Sequence, residues 1–161
     1  MKEIVKTVQK ASAAPPQEER PTSAKVYELT EEPVAAGPKL VLLLEDDVEF
    51  GEMLSVFLES HSFGVVRVTN GADGLRQIIA NNFDIILCDM VMPNLPGDMF
   101  YLAVQRTKPR LCKRFIFMTG HQADPKWDGF IRKVRGIMLW KPFQLPDLLT
   151  TIQNTLNRDS N

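Results

Sequence analysis

Asp46, Asp47, Asp89, Thr119 and Lys141 are the residues of this chain whose types and placement suit joint chemistry. Each lies at the end of an aliphatic run. Leu40-Val41-Leu42-Leu43-Leu44 leads into Glu45-Asp46-Asp47, and Ile85-Ile86-Leu87-Cys88 leads into Asp89. Thr119 closes Phe115-Ile116-Phe117-Met118, and Lys141 follows Gly136–Trp140. If the runs are neighbouring strands, their ends gather at one sheet edge. Three carboxylates brought together repel one another unless a cation or a proton compensates. Hard oxygen ligands suit Mg²⁺, which takes one or two carboxylates and keeps waters that a phosphate can displace. A lysine and a hydroxyl on the opposite side can hold an oxyanion. A carboxylate can itself accept a phosphoryl group. The chemistry that fits is an anionic group attached at, or transferred to, one of the acids.

The elements that must position these residues are readable from periodicity. Strands are predicted at Leu40–Leu44, Val65–Val68, Asp84–Cys88, Phe115–Met118 and Gly136–Trp140. Helical spacing fills the gaps. It runs over about Val48–Ser60, with Phe50, Leu54, Phe57 and Leu58 on one face, and over about Ala72–Ala80. Further helices are predicted over Gly97–Thr107, stopped by Pro109, and over Pro125–Arg135 and Leu145–Leu156. Five strands alternating with five helices predict right-handed crossovers and an α/β fold, a doubly wound five-stranded parallel sheet with helices on both faces. That cover explains the nearly unbroken apolar strands. Ligands of such open sheets bind beyond the carboxyl ends of the strands, near the topological switch point. The acids after the first and third strands fall there.

Composition narrows the function classes. A net charge of −1 removes the electrostatic case for non-specific binding to nucleic acid or an anionic membrane. No apolar run approaches the roughly 18–20 residues that span a bilayer, and no signal-peptide segment follows Met1. Neither nucleic-acid binding nor membrane insertion is expected. Cys88 and Cys112 sit in or beside apolar runs without metal-ligand spacing. They read as buried thiols in a reducing compartment, which places the chain in the cytoplasm. Residues 1–38 hold five of the eleven prolines and no sustained apolar periodicity after Val8, so they are expected to form a flexible arm or linker. A short helix over Lys2–Ala11 would be marginal alone. Residues 39–161 are expected to be the folded domain.

With these motifs in order, the sequence resembles the receiver domains of two-component response regulators. The resemblance covers about Lys39 to Asn157. It is carried by Asp46-Asp47, by Asp89-Met90-Val91-Met92-Pro93 with Gly97 soon after, by Thr119-Gly120, and by Lys141-Pro142-Phe143. It implies a flavodoxin-like, receiver-like sheet with Asp89 as phospho-acceptor. Asp46, Asp47, Asp89 and the Val91 backbone carbonyl would hold Mg²⁺. Thr119 and Lys141 would bind phosphoryl oxygens, with Thr119 carrying the switch, and the Lys141-Pro142 bond would be cis. The donor would be a histidine kinase or a histidine phosphotransfer protein. The domain would catalyse its own phosphorylation and dephosphorylation rather than act on a separate substrate. Many receivers dimerise through helix 4, strand 5 and helix 5, so a homodimer on that face is a candidate. Many also carry Tyr or Phe three residues before the lysine, where this chain has Met138, so the aromatic half of that switch is absent.

Simpler readings accompany each motif. Asp46 or Asp47 can cap the first helix. His121 either tunes phosphoryl lifetime near the site or is merely exposed. His61 reads as structural or exposed, Trp127 as a half-buried helix residue or a partner contact, and Arg132-Lys133-Val134-Arg135 as a solvated face or a recognition surface. No output domain is expected after the last helix, which fits a free-standing regulator or the receiver of a hybrid kinase. The rival function is a receiver-like interaction module not regulated by phosphorylation. A haloacid-dehalogenase-like phosphatase would need a second Asp two residues after Asp89, where Val91 stands. No phosphate-binding glycine motif follows any strand.

Overall fold

A computed structural model describes residues 37–121 and 124–158. The expectations for residues 1–36, including the Lys2–Ala11 helix, lie outside the described residues. Strands β1 (Leu40–Leu44), β2 (Gly64–Val68), β3 (Ile85–Asp89), β4 (Phe115–Thr119) and β5 (Ile137–Trp140) alternate with helices. The helices are α1 (Val48–Ser60), α2 (Gly71–Ala80), α3 (Gly97–Thr107), α4 (Pro125–Val134) and α5 (Leu145–Asn157). A 3₁₀ turn at Pro109–Arg114 joins α3 to β4. The sequence reading missed it because a 3₁₀ turn leaves no periodic signal; Pro109 marked only the end of α3.

All strand pairs are parallel, in the order β2-β1-β3-β4-β5. The alternation of side chains along each strand divides the core in two. Val41, Leu43, Ile85, Leu87, Ile116 and Met118 pack against Leu54 and Leu58 of α1 and Leu148 and Ile152 of α5. Leu42, Leu44, Ile86, Cys88, Phe115 and Phe117 pack against α2, α3 and α4 through Ile78, Phe100, Tyr101, Val104 and Trp127. Burial on both sheet faces is the reason the strands read as solid apolar runs. Each fully buried Leu or Ile contributes about 1.5–3 kcal/mol relative to exposure.

The chain leaves β1 for β2 on one side and returns to β3 on the other. The switch point therefore lies between the carboxyl ends of β1 and β3. Backbone pairing continues one residue past several strands there. Glu45 N–H donates to Val68 O (3.0 Å), Met90 N–H to Met118 O (2.8 Å) and Lys141 N–H to Thr119 O (2.8 Å). These bonds fix the starting points of the segments that carry polar side chains. Gly97, at the start of α3, lets the helix press on the end of β3: a Cβ there would lie 2.7 Å from Asp89 O and 2.9 Å from Met90 Cα.

Candidate functional site

Asp89 is the last residue of β3, one position later than the predicted strand end, and it is buried. Its Oδ1 accepts from Val91 N–H at 2.8 Å, and its Oδ2 accepts from Lys141 Nζ at 2.5 Å. Both oxygens thus have a donor that fixes their orientation. Lys141 is carried in from the end of β5, and its Nζ also donates to Glu45 Oε2 at 2.6 Å. One ammonium bridges two buried carboxylates. The Lys141-Pro142 bond is cis, as expected from the resemblance.

Glu45 is the residue that the sequence reading missed. It follows β1 directly and is 1% exposed, and its carboxylate comes together with those of Asp46 and Asp89 within 4.8 Å. Gly51 on α1 leaves room for its stem; a Cβ there would already stand 3.5 Å from Glu45 Cγ and 3.1 Å from Arg67 Cδ. Asp47 points elsewhere. It is the N-cap of α1, its Oδ1 accepting from Phe50 N–H at 3.0 Å. The structure therefore assembles Asp46 and Asp89 with Glu45, and places Asp47 on the helix end, the simpler of its two expected roles.

Burial pushes the Glu45 carboxyl up from its ordinary value, more than Lys141 pulls it down, and the neighbouring Asp89 adds to the rise. Burial draws Lys141 down, yet its hydrogen bonds to Asp89 and Glu45 outweigh this and its amine is raised. The two directions agree with the geometry. Lys141 has two carboxylates to itself, whereas Glu45 shares one ammonium with a second acid. Three carboxylates facing one ammonium leave an excess of negative charge that a divalent cation matches. Three hard oxygen donors, one of them open to water at Asp46, fit Mg²⁺.

The remaining expected residues are placed as follows. Thr119 is fully buried at the end of β4, beside Asp89 on the neighbouring strand, and its Oγ1 accepts from His121 N–H at 3.2 Å. His121 is exposed. Val91 is 43% exposed beside Asp89. Met138 is half-buried, pairs with Phe117, and packs on the core face shared by α2, α3 and α4. Phe50 of α1 covers Lys141, with Nζ 4.7 Å from the ring centroid, and meets Phe143 edge-on at 5.9 Å. Trp127 is buried, His61 bonds Phe57 O at 2.8 Å, and both cysteines are free thiols.

Against this geometry, residues 41–153 match the family described as response regulator receiver domain. The chain belongs to that family. Its members are the phospho-accepting signalling modules of two-component systems. The receiver is 31% identical over 121 residues to the response regulator receiver protein CpdR of Brucella abortus, covering 73% of this chain and 97% of CpdR. It is 27% identical over 145 residues to the sensor kinase CckA of Brucella abortus, covering 88% of this chain and 15% of CckA. It spans half or less of the length of CckA and of several other curated relatives. Among solved structures, a CheY-like receiver domain protein from Methanospirillum hungatei JF-1 superposes with a TM-score of 0.71 at 22% identity, covering 77% of this chain and 98% of its own. That likeness concerns the fold.

Proposed function

We propose that Asp89 accepts a phosphoryl group from a histidine kinase or a histidine phosphotransfer protein in the cytoplasm, and that the resulting acyl phosphate changes the surface the receiver presents. The observation that carries this reading is the Lys141 ammonium bridging Glu45 and Asp89 at the sheet's switch point. In the transfer, an Asp89 carboxylate oxygen forms a bond to phosphorus while the bond from phosphorus to the donor's imidazole nitrogen breaks. The electron pair stays with the imidazole. Glu45, Asp46 and Asp89 would hold Mg²⁺, with the Val91 carbonyl as a further candidate ligand. The ion, when bound, neutralises charge on the phosphoryl oxygens. Lys141 is already within hydrogen-bond reach of the acceptor and would pair with a phosphoryl oxygen. Positioning and charge neutralisation are what phosphoryl transfer asks of a protein.

Thr119 is the candidate switch residue. Its hydroxyl accepts from His121 N–H, which leaves its own proton to donate to a phosphoryl oxygen. With Met138 in place of an aromatic, the response would be read out through Met138 and the β4–β5 face, where a homodimer through α4, β5 and α5 is the expected form of assembly. No helix among the described residues is long and apolar enough to cross a membrane. The reading is tested by treating the chain with a small-molecule phosphodonor and trapping the acyl phosphate with borohydride. Mass spectrometry is expected to find the reduced residue at position 89. Modification at Asp46 or Asp47, or at no aspartate, would overturn it.

A further inference from the structure

The opposite end of the sheet carries a charge concentration that phosphorylation does not use. Arg106, Lys108, Arg110, Lys113 and Arg114 fall within one short segment that contains no acid. The segment links α3 to β4, so it lies at the amino edge of the sheet, away from Asp89. α4 and α5 run back to the same edge and end there with Arg135 and Arg158. The near-zero net charge of the chain hides this separation of an acidic end from a basic one.

Three clefts adjoin one another along the Pro109–Arg114 turn. The first, about 320 Å³, is lined by Lys108, Arg110 and Leu111. The second, about 420 Å³, shares Arg110 and Leu111 and adds Lys113 over Phe83. The third, about 360 Å³, shares Lys113 and adds Arg135 and Arg158 over Tyr101 and Phe115. The shared residues make them one track, and among the described residues no carboxylate lines any of the three.

Cations at helix C-termini complement the macrodipole, and that accounts for Arg135 and Arg158 without a ligand. It does not account for the run on the turn, where like charges repel. Lys108 Nζ donates to Asn81 O at 3.2 Å. Among the described residues, Arg110, Lys113, Arg135 and Arg158 have no ion-pair partner, whereas Lys39, Arg76, Lys126 and Arg132 each have one and Lys141 has two. Arg135 also holds a left-handed backbone (φ 53°), a place that glycine takes without strain.

We propose that this track binds an extended acidic peptide segment of a partner protein. Its carboxylates would pair with Arg110, Lys113 and Arg135, and its aliphatic side chains would sit on the half-buried Leu111. Guanidinium forks suit carboxylates. The six-residue turn runs roughly 12 Å, the reach of about three or four extended residues. Single-stranded nucleic acid is the weaker occupant, because Phe83, Tyr101 and Phe115 are 5%, 4% and 2% exposed and offer no ring for stacking. A membrane is weaker still: the surface is concave, and no exposed aromatic or large aliphatic residue projects from the turn.

The test uses the full chain on an array of hexapeptides alternating Asp or Glu with Leu or Val, beside the same peptides with Gln for each acid. Oligouridylate and anionic phosphatidylserine vesicles are the competing probes. The acidic peptides are expected to bind, to weaken with added salt, and to lose at least tenfold in affinity to the Arg110→Glu/Lys113→Glu variant. The Arg110→Gln/Lys113→Gln variant should fall between, and decides the matter if thermal melting shows the reversal variant unfolded. Equal binding of the Gln peptides, retained affinity in a folded variant, or tighter binding of oligouridylate or vesicles would overturn the proposal.

Discussion

Replacing Lys141 by methionine keeps the reach of the side chain and removes its charge. Glu45 and Asp89, 1% and 6% exposed, would then face each other without the ammonium that bridges them. Breaking a buried ion pair by removing one partner costs about 3–5 kcal/mol. The Lys141 side chain is 20% exposed and Asp46 opens the site to water, so re-solvation should bring the loss to about 2–3 kcal/mol. In a domain of this size that is a fall in melting temperature of roughly 10 °C. The sign with pH follows from the carboxyls. Burial already raises Glu45, and the substitution removes the group that lowers it. The folded variant then binds protons more readily than the unfolded chain, so its stability should rise as pH falls from neutral towards about 4.5. Mg²⁺ should restore stability in the same way, by supplying the missing charge. Thermal melts of both proteins, near neutral and near pH 5, with and without Mg²⁺, measure all of this. An unchanged melting temperature would refute the reasoning. So would a loss that neither acid nor Mg²⁺ repairs, which would assign the lysine's role to packing of its stem beside Phe50.

Asp46→Asn should weaken Mg²⁺ binding more than tenfold by calorimetry. Asp47→Ala should leave Mg²⁺ binding near wild type and cost about 1 kcal/mol through loss of the α1 cap, read from denaturant unfolding. Gly97→Ala should destabilise by about 1–3 kcal/mol and slow labelling at Asp89, because its Cβ meets backbone that cannot move without moving the acceptor. At the alkaline extreme, the raised Lys141 amine contributes stability that is complete below about 10.5 and lost as pH rises through its higher native value. Wild type should therefore lose stability there in a window where Lys141→Met shows none of that loss.

The sheet was legible because burial on both faces turns each strand into an apolar run, and each expected strand differs from the observed one by at most a residue at either end. At β3 the carboxylate of Asp84 accepts from Lys39 Nζ and Leu40 N–H at the foot of β1, and at the far end Met90 N–H donates to Met118 O just beyond Asp89, the last strand residue. Asp89 and Lys141 were legible as polar residues closing apolar runs. Glu45 was harder, because it stands first in a row of three acids whose order along the chain does not show which turns inward. One signal could have resolved it. Asp47 immediately precedes the first helical residue, Val48, the position where a carboxylate caps free amides, which leaves Glu45 and Asp46 as the pair nearest the sheet. The 3₁₀ turn and its basic track were illegible as structure, since a six-residue turn leaves no periodic signal and the chain order does not show that its charges line adjoining clefts.

The most direct test of the account is phosphoryl incorporation from a small-molecule donor into wild type and Asp89→Asn, each with Mg²⁺ and with chelator. The account predicts labelling of wild type that needs Mg²⁺ and is absent from Asp89→Asn, with both proteins melting as folded domains. Acid-stable, base-labile labelling that persists in folded Asp89→Asn, or that ignores the chelator, would contradict it.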